Sequence, residues 1–186
     1  PGVGGNQCQA CPQEKYQSIA GSDLCNLCHS GTYGSSSGKS ACTNCPSTHF
    51  QSQIGQSLCS GCSSGQSQEE AGKSSCKECS GGQYQPSTTT SFCKTCPAAH
   101  FQSQIGQSLC SGCSSGQSQE EAGKKSCKEC SGGQYQPSTT TRFCKTCPAG
   151  TSSIPPTAIE CANCALGQYQ SLTGQSTCDL CSAGLF

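Results

Sequence analysis

The sequence predicts a small disulfide-rich repeat: an elongated, solenoid-like ladder of short loops with sparse β-structure and no helix. Three observations carry this. Cysteine makes up 22 of the 186 residues, above the roughly 8–10% that marks a disulfide scaffold. The cysteines come as C-x-x-C pairs whose first members stand at 8, 25, 42, 59, 76, 93, 110, 127, 144, 161 and 178, every interval being 17. No window carries the 3.6-residue apolar period of an amphipathic helix.

The cysteine content places the chain in an oxidising compartment, because cytosolic thiols are kept reduced and seldom accumulate in pairs. Apolar residues are too few to build an ordinary core. There is no Trp or Met, there are five Tyr and five Phe, and cysteine itself supplies much of the 31% counted as hydrophobic. Crosslinks must therefore act together with stacking on neighbouring repeats, and an isolated repeat is expected not to fold.

Ten basic and ten acidic residues give a formal net charge of zero. They are scattered among Ser, Gln, Gly and Thr, so nothing concentrates positive charge for nucleic acid or an anionic membrane. No apolar run reaches the ~18 residues of a membrane span. The leading Pro-Gly-Val-Gly-Gly lacks the charged-then-apolar pattern of a signal peptide, so a secretion signal is expected to have been removed or to lie outside the sequence.

Eleven equally spaced pairs define residues 1–186 as a single array of eleven 17-residue repeats. From its second cysteine each repeat reads C-[PS]-x-G-x-[YF]-Q-[SP]-x-x-x-G-x-S-x-C in composite. Tyr16, Tyr33, Phe50, Tyr84, Phe101, Tyr135, Tyr169 and Phe186 share one slot, expected to shield the adjacent disulfide. The glycine two residues earlier, as at Gly31, is expected to take a positive φ at a turn, and a second glycine slot, as at Gly38, to mark the return turn. Strands should be two to four residues long at most. Gly4 falls in register with the return-turn slot and Phe186 ends an unfinished repeat, so both ends are expected to cut through repeats of a longer array.

A longer period is superimposed. Residues 47–97 and 98–148 are identical except at Ser47/Ala98, Thr48/Ala99, Ser74/Lys125 and Ser91/Arg142. Each block is 51 residues, or three repeats. Recent duplication accounts for the identity, and a surface recurring every third repeat for lateral contact is compatible with it.

C-x-x-C spacing is shared by zinc knuckles, thioredoxin-like redox sites and disulfide repeats. Tetrathiolate zinc needs pairs of pairs, which an unbroken run at equal spacing does not separate. A redox-active pair needs a thiolate at a helix N-terminus, and no helix is expected here. Disulfide crosslinking is the leading reading.

The segment Cys28-His29-Ser30-Gly31-Thr32-Tyr33 running on to Cys42, and Cys164-Ala165-Leu166-Gly167-Gln168-Tyr169 running on to Cys178, resemble the module that opens the cysteine-rich repeats of tumour necrosis factor receptors. The same module recurs in ephrin-receptor-like cysteine-rich domains. C-x-x-C-rich surface antigens and appendage proteins of protists and algae are similar. The resemblance implies that each second cysteine bonds the first cysteine of the next pair. The bridges would then be Cys11–Cys25, Cys28–Cys42, Cys45–Cys59, Cys62–Cys76, Cys79–Cys93, Cys96–Cys110, Cys113–Cys127, Cys130–Cys144, Cys147–Cys161 and Cys164–Cys178. Cys8 and Cys181 are left without a partner in the sequence, and are expected to bond outside it. Receptor modules alternate with a second, differently bridged kind, whereas this array repeats one.

Other side chains offer little chemistry. His29, His49 and His100 are the only histidines, and the latter two are repeat equivalents expected to be solvated. Glu69-Glu70 and Glu120-Glu121 read as solvated loop positions. Pro86 and Pro137 precede Ser87, Thr88, Thr89, Thr90 and Ser138, Thr139, Thr140, Thr141, candidate O-glycosylation tracts. No catalytic residue, metal site or cofactor is expected. The function implied is an extracellular structural repeat protein, a surface coat, stalk, or subunit of a filament or hair-like appendage. Its expected partners are further copies or other extracellular structural proteins. The alternative is a receptor-like or adhesive ectodomain that binds a protein ligand.

Overall fold

The computed structural model describes residues 7–156 and 158–185. Gly4 and Phe186 lie outside the described residues. Contacts divide the chain into two compact units, Pro1–Cys79 with Gln85–Cys93, and Ser80–Tyr84 with Lys94–Phe186. All packing described below lies within one unit or the other.

Each repeat is a two-stranded antiparallel hairpin, and among the described residues there is no helix. Its first strand holds the aromatic slot and the residue before it, as in Thr32–Tyr33. Its second is the x-x of the following C-x-x-C, here Thr43–Asn44, in the register Thr32↔Asn44 and Tyr33↔Thr43. The strands stop at two residues because a bridging cysteine stands at both ends of the return strand and a turn precedes the first. That turn is closed by the Thr32 N–H donating to the His29 carbonyl at 3.0 Å. Its third residue, Gly31, has φ +82°, the left-handed value that a type II turn demands and that favours glycine. Glu14, Thr48 and Ala99 occupy the same slot and hold the same conformation with φ 74°, 71° and 68°. The turn is thus imposed on residues that resist it, at a cost of about 1–2 kcal/mol each.

All ten expected bridges are formed, with Cα–Cα separations of 5.6–5.8 Å. Cys8 and Cys181 have no disulfide partner among the described residues. In the nine inner C-x-x-C pairs the two cysteines therefore serve different loops, which is incompatible with a dithiol redox pair or a tetrathiolate site built from them.

Neighbouring repeats are joined through the backbone. The Gly31 N–H donates to the Gln51 carbonyl at 2.7 Å, Gly55 N–H to the Cys28 carbonyl at 2.7 Å, and Gln51 N–H to the Lys73 carbonyl at 3.2 Å. These links recur at equivalent positions within each unit, as in Gly82 N–H to the Gln102 carbonyl at 2.7 Å and Gly123 N–H to the Cys96 carbonyl at 2.8 Å, so the hairpins of a unit form a ladder in which polar backbone groups of one rung are satisfied by the next.

Packing also reaches the second repeat along. A Cβ on Gly31 would lie 2.2 Å from the Gly72 carbonyl oxygen, and one on Gly133 would lie 2.0 Å from that of Gly174. Contact thus extends further than the immediate neighbour.

Candidate interaction surfaces of the repeat

The interior inverts the usual distribution of residues. Buried apolar residues among those described are the second cysteines of the first nine pairs, Cys11 to Cys147, with Ala99 and Ala158, and the largest fully buried side chains are Gln85 and Gln136. Each of these glutamines follows the aromatic slot. Gln136 Nε2 donates to the Phe143 carbonyl at 2.6 Å and its Oε1 accepts from the Ser138 N–H at 3.3 Å. Gln51, Gln68, Gln102, Gln119 and Gln170 make the same two bonds. One amide thereby staples the out-and-back loop, satisfying two backbone groups that have no strand partner. Gly34 and Ser153 replace it in two repeats. Sequence reasoning registered the glutamine but assigned it no role; its recurrence at one slot was the available signal.

The aromatic slot behaves as expected in part. The aromatic side chains are half-buried, except Tyr169, which is exposed. Where serine replaces them, the slot's relation to sulfur becomes explicit. Ser67 and Ser118 place their hydroxyls 3.3 Å from Cys93 and Cys144 Sγ, and Ser152 lies 3.5 Å from Cys178 Sγ. The sulfur belongs to the bridge of the next repeat, so at these three serines the slot touches the neighbour's disulfide.

With glutamine and cystine inside, the aliphatic side chains lie outside, at the loop tips. Leu58, the residue preceding a first cysteine, is 70% exposed, and Ile54 on the same tip 58%. Phe92 occupies the Leu58 slot two repeats further on and is 54% exposed. Their backbones are held, since the Leu58 and Phe92 carbonyls accept the staple amides of Gln51 and Gln85 at 2.7 and 2.5 Å. The second unit repeats this with Ile105, Leu109 and Phe143, whose ring lies 5.4 Å from the Arg142 guanidinium.

A charged tip stands between the aliphatic and aromatic ones. Glu70 and Lys73 pair at 2.7 Å, and Glu121 and Lys124 at 2.8 Å, all exposed. Hydrogen bonding and charge from the lysine hold each of these carboxyls below its ordinary value. Glu69 and Glu120 are exposed, as the solvated-loop reading expected.

The histidines need one correction. His29 is exposed, but His49 and His100 are half-buried, not freely solvated. Each stands on a first strand opposite a glycine, Gly61 or Gly112, which leaves room for the ring. His49 Nδ1 is 3.0 Å from Thr48 Oγ1, and His100 Nδ1 is 3.2 Å from the Ala98 carbonyl. Among the described residues no group of three or more His, Cys, Asp or Glu side chains converges as metal ligands would.

In the Ser/Thr tracts, Thr88, Thr89, Ser138, Thr139 and Thr140 are exposed, whereas Ser87, Thr90 and Thr141 are half-buried. The Thr90 and Thr141 hydroxyl oxygens are buried without a hydrogen-bond partner. Near the start of the first unit an open recess of about 580 Å³ is lined by Lys15, Tyr16, Leu27, His29 and Ile54 among others.

A family model described as tyrosine-protein kinase ephrin type A/B receptor-like matches residues 16–57 and 120–160. No curated protein matches the chain. The matched segments carry the same hairpin, turn and bridge as the rungs between them. Residues 16–57 and 120–160 are thus similar to cysteine-rich, ephrin-receptor-like repeats, and the ten bridges of the array follow one repeated pattern. This module and the density of disulfides point to an extracellular or secreted location.

Proposed function

We propose that the array is a non-catalytic structural element of an extracellular surface: a coat, a stalk, or the subunit of a filament or hair-like appendage. The observation that supports this is where the bridges lie relative to the chain path. Tension applied along the chain crosses each disulfide and then only the C-x-x-C span, while the chain between bonded cysteines, residues 29–41 in the Cys28–Cys42 loop, carries no load. The Cα–Cα distance across Cys28–Cys42 is 5.6 Å, and the three steps from Cys25 to Cys28 add about 10 Å when extended. Each repeat can therefore lengthen to roughly 16 Å, against roughly 58 Å for the same 17 residues unbridged. An array so limited in extension suits a load-bearing role.

The test is single-molecule stretching of the oxidised chain. A contour of about 16 Å per repeat, rising to about 58 Å with reductant, is expected. Extension to the longer contour without reductant would remove the mechanical basis of the reading.

A second reading, a receptor-like or adhesive ectodomain, is favoured by the likeness of residues 16–57 and 120–160 to ephrin-receptor-like modules and by the Lys15–Tyr16–Leu27–His29–Ile54 recess. It predicts a soluble chain whose binding of a protein ligand is lost when Tyr16 and Leu27 are replaced.

A further inference from the structure

We infer that the exposed apolar loop tips of each unit, Ile54, Leu58 and Phe92 in the first and Ile105, Leu109 and Phe143 in the second, are contact surfaces for a second copy of this chain. The inference rests on the structural role proposed above and names the contact that would assemble it.

Three observations support it. First, the side chains are available. Folding of the rungs uses glutamine and cystine, and these six tip side chains are left between 54% and 70% exposed. Burying them against a partner would remove apolar surface from water, which favours association. Each tip is held by its staple amide, as at Leu58 and Leu109, where the Gln51 and Gln102 amides are each 2.7 Å from the carbonyl, so little ordering remains to be done on contact.

Second, the arrangement recurs. Within each block an aliphatic tip, a charged tip and an aromatic tip follow one another at 17-residue intervals, and the order returns after 51 residues. A partner that presents apolar groups at the same intervals is another copy of the array; a ligand with one binding epitope would use one tip and leave the others bare.

Third, the charges permit it. The chain has no net charge, so copies do not repel one another, and low net charge favours association. The tip between the apolar ones carries both signs, Glu70 with Lys73 and Glu121 with Lys124. It is complementary to itself, able to exchange ion pairs between copies where a tip of one sign would be repelled.

The experiment compares the full oxidised chain with two variants, L58S/L109S and F92S/F143S, by sedimentation velocity across a wide concentration range and by negative-stain microscopy. Serine already stands in this slot at Ser75 and Ser126, where its carbonyl still accepts the staple amide at 2.7 and 2.8 Å. Loss of the rung is thus avoided. Intact bridging is checked by trypsin without reductant, which frees Glu78–Lys94 as one peptide closed by Cys79–Cys93.

Concentration-dependent assembly of the parent chain, weakened about tenfold or more in each variant, is the expected result. If the parent assembles and both variants assemble equally well, the tip interface is wrong while the structural role stands. If the parent chain remains a monomer throughout and native material shows no ordered polymer, both are wrong.

Discussion

Thr140 fills the space in front of Gly112: a Cβ on Gly112 would lie 2.2 Å from Thr140 Cγ2. The two positions are the second x of a C-x-x-C and the return-turn slot two repeats on. Elsewhere the sizes are reversed. Thr95 faces Gly123, with its Cγ2 3.0 Å from the place of a Gly123 Cβ, and Thr146 faces Gly174 likewise at 3.1 Å. Asn44 and Leu27 stand in the same relation to Gly72 and Gly55. One side chain fits in each gap, supplied from either side.

This exchange predicts a strong coupling. Gly112→Thr alone overfills the gap and should destabilise the local packing by about 1–3 kcal/mol. Adding Thr140→Gly reproduces the Thr146–Gly174 arrangement and also relieves the Thr140 φ of 56°. Hydrogen-exchange protection at the residue 140 amide, which donates to the Cys113 carbonyl at 2.8 Å, should fall about 5–150-fold in the single variant and recover in the double one. Additive losses would show that the two sites are independent.

Gly133 and Gly150 share the turn slot and nearly the same φ, 76° and 81°. Only their neighbours differ. Nothing lies within 4 Å of a Cβ on Gly150, while one on Gly133 meets the Gly174 backbone at 2.0 Å. Gly150→Ala should cost the conformational strain alone, about 1–2 kcal/mol, as Ala99 already bears. Gly133→Ala should cost clearly more and disturb the rung holding Gly174. Denaturant unfolding of the two variants under oxidising conditions measures the difference, and equal losses would exclude the backbone contact.

Gln85 is buried, with Nε2 2.5 Å from the Phe92 carbonyl. Gln85→Ala leaves that carbonyl without its partner, and a loss of about 1–3 kcal/mol is expected. Gln17 makes the corresponding bond to Leu24 at an exposed site, where water substitutes, so Gln17→Ala should cost less than about 1 kcal/mol. Thermal unfolding of the two variants at fixed redox state tests the ranking.

In the Pro86 and Pro137 tracts, we propose O-linked sugars on Thr88, Thr89, Ser138, Thr139 and Thr140. The buried Thr90 and Thr141 hydroxyls should be bare. Site-resolved glycopeptide mass spectrometry of native material is expected to show this division. Unmodified tracts, or sugar on Thr141, would contradict it.

Much of the rung was legible in the sequence, for a physical reason. A disulfide loop of fixed length, a type II turn and a two-residue strand are local, and each depends on residue types at fixed short spacing: cysteine for the bridge, glycine at Gly31 for the positive φ, Thr32–Tyr33 for the strand. The cysteine spacing alone left the pairing open; the likeness to known repeats indicated it, and the structure has the same bridges. Tertiary structure alone decided which side chains face inward. Gln136 is buried and Leu109 exposed because the loop's unpaired backbone groups need an amide inside, whereas two-residue strands enclose no volume for a leucine. It also decided that rungs pack on the second neighbour. Residues 28 positions apart, such as Gly112 and Thr140, can be matched only once the backbone ladder has brought them together.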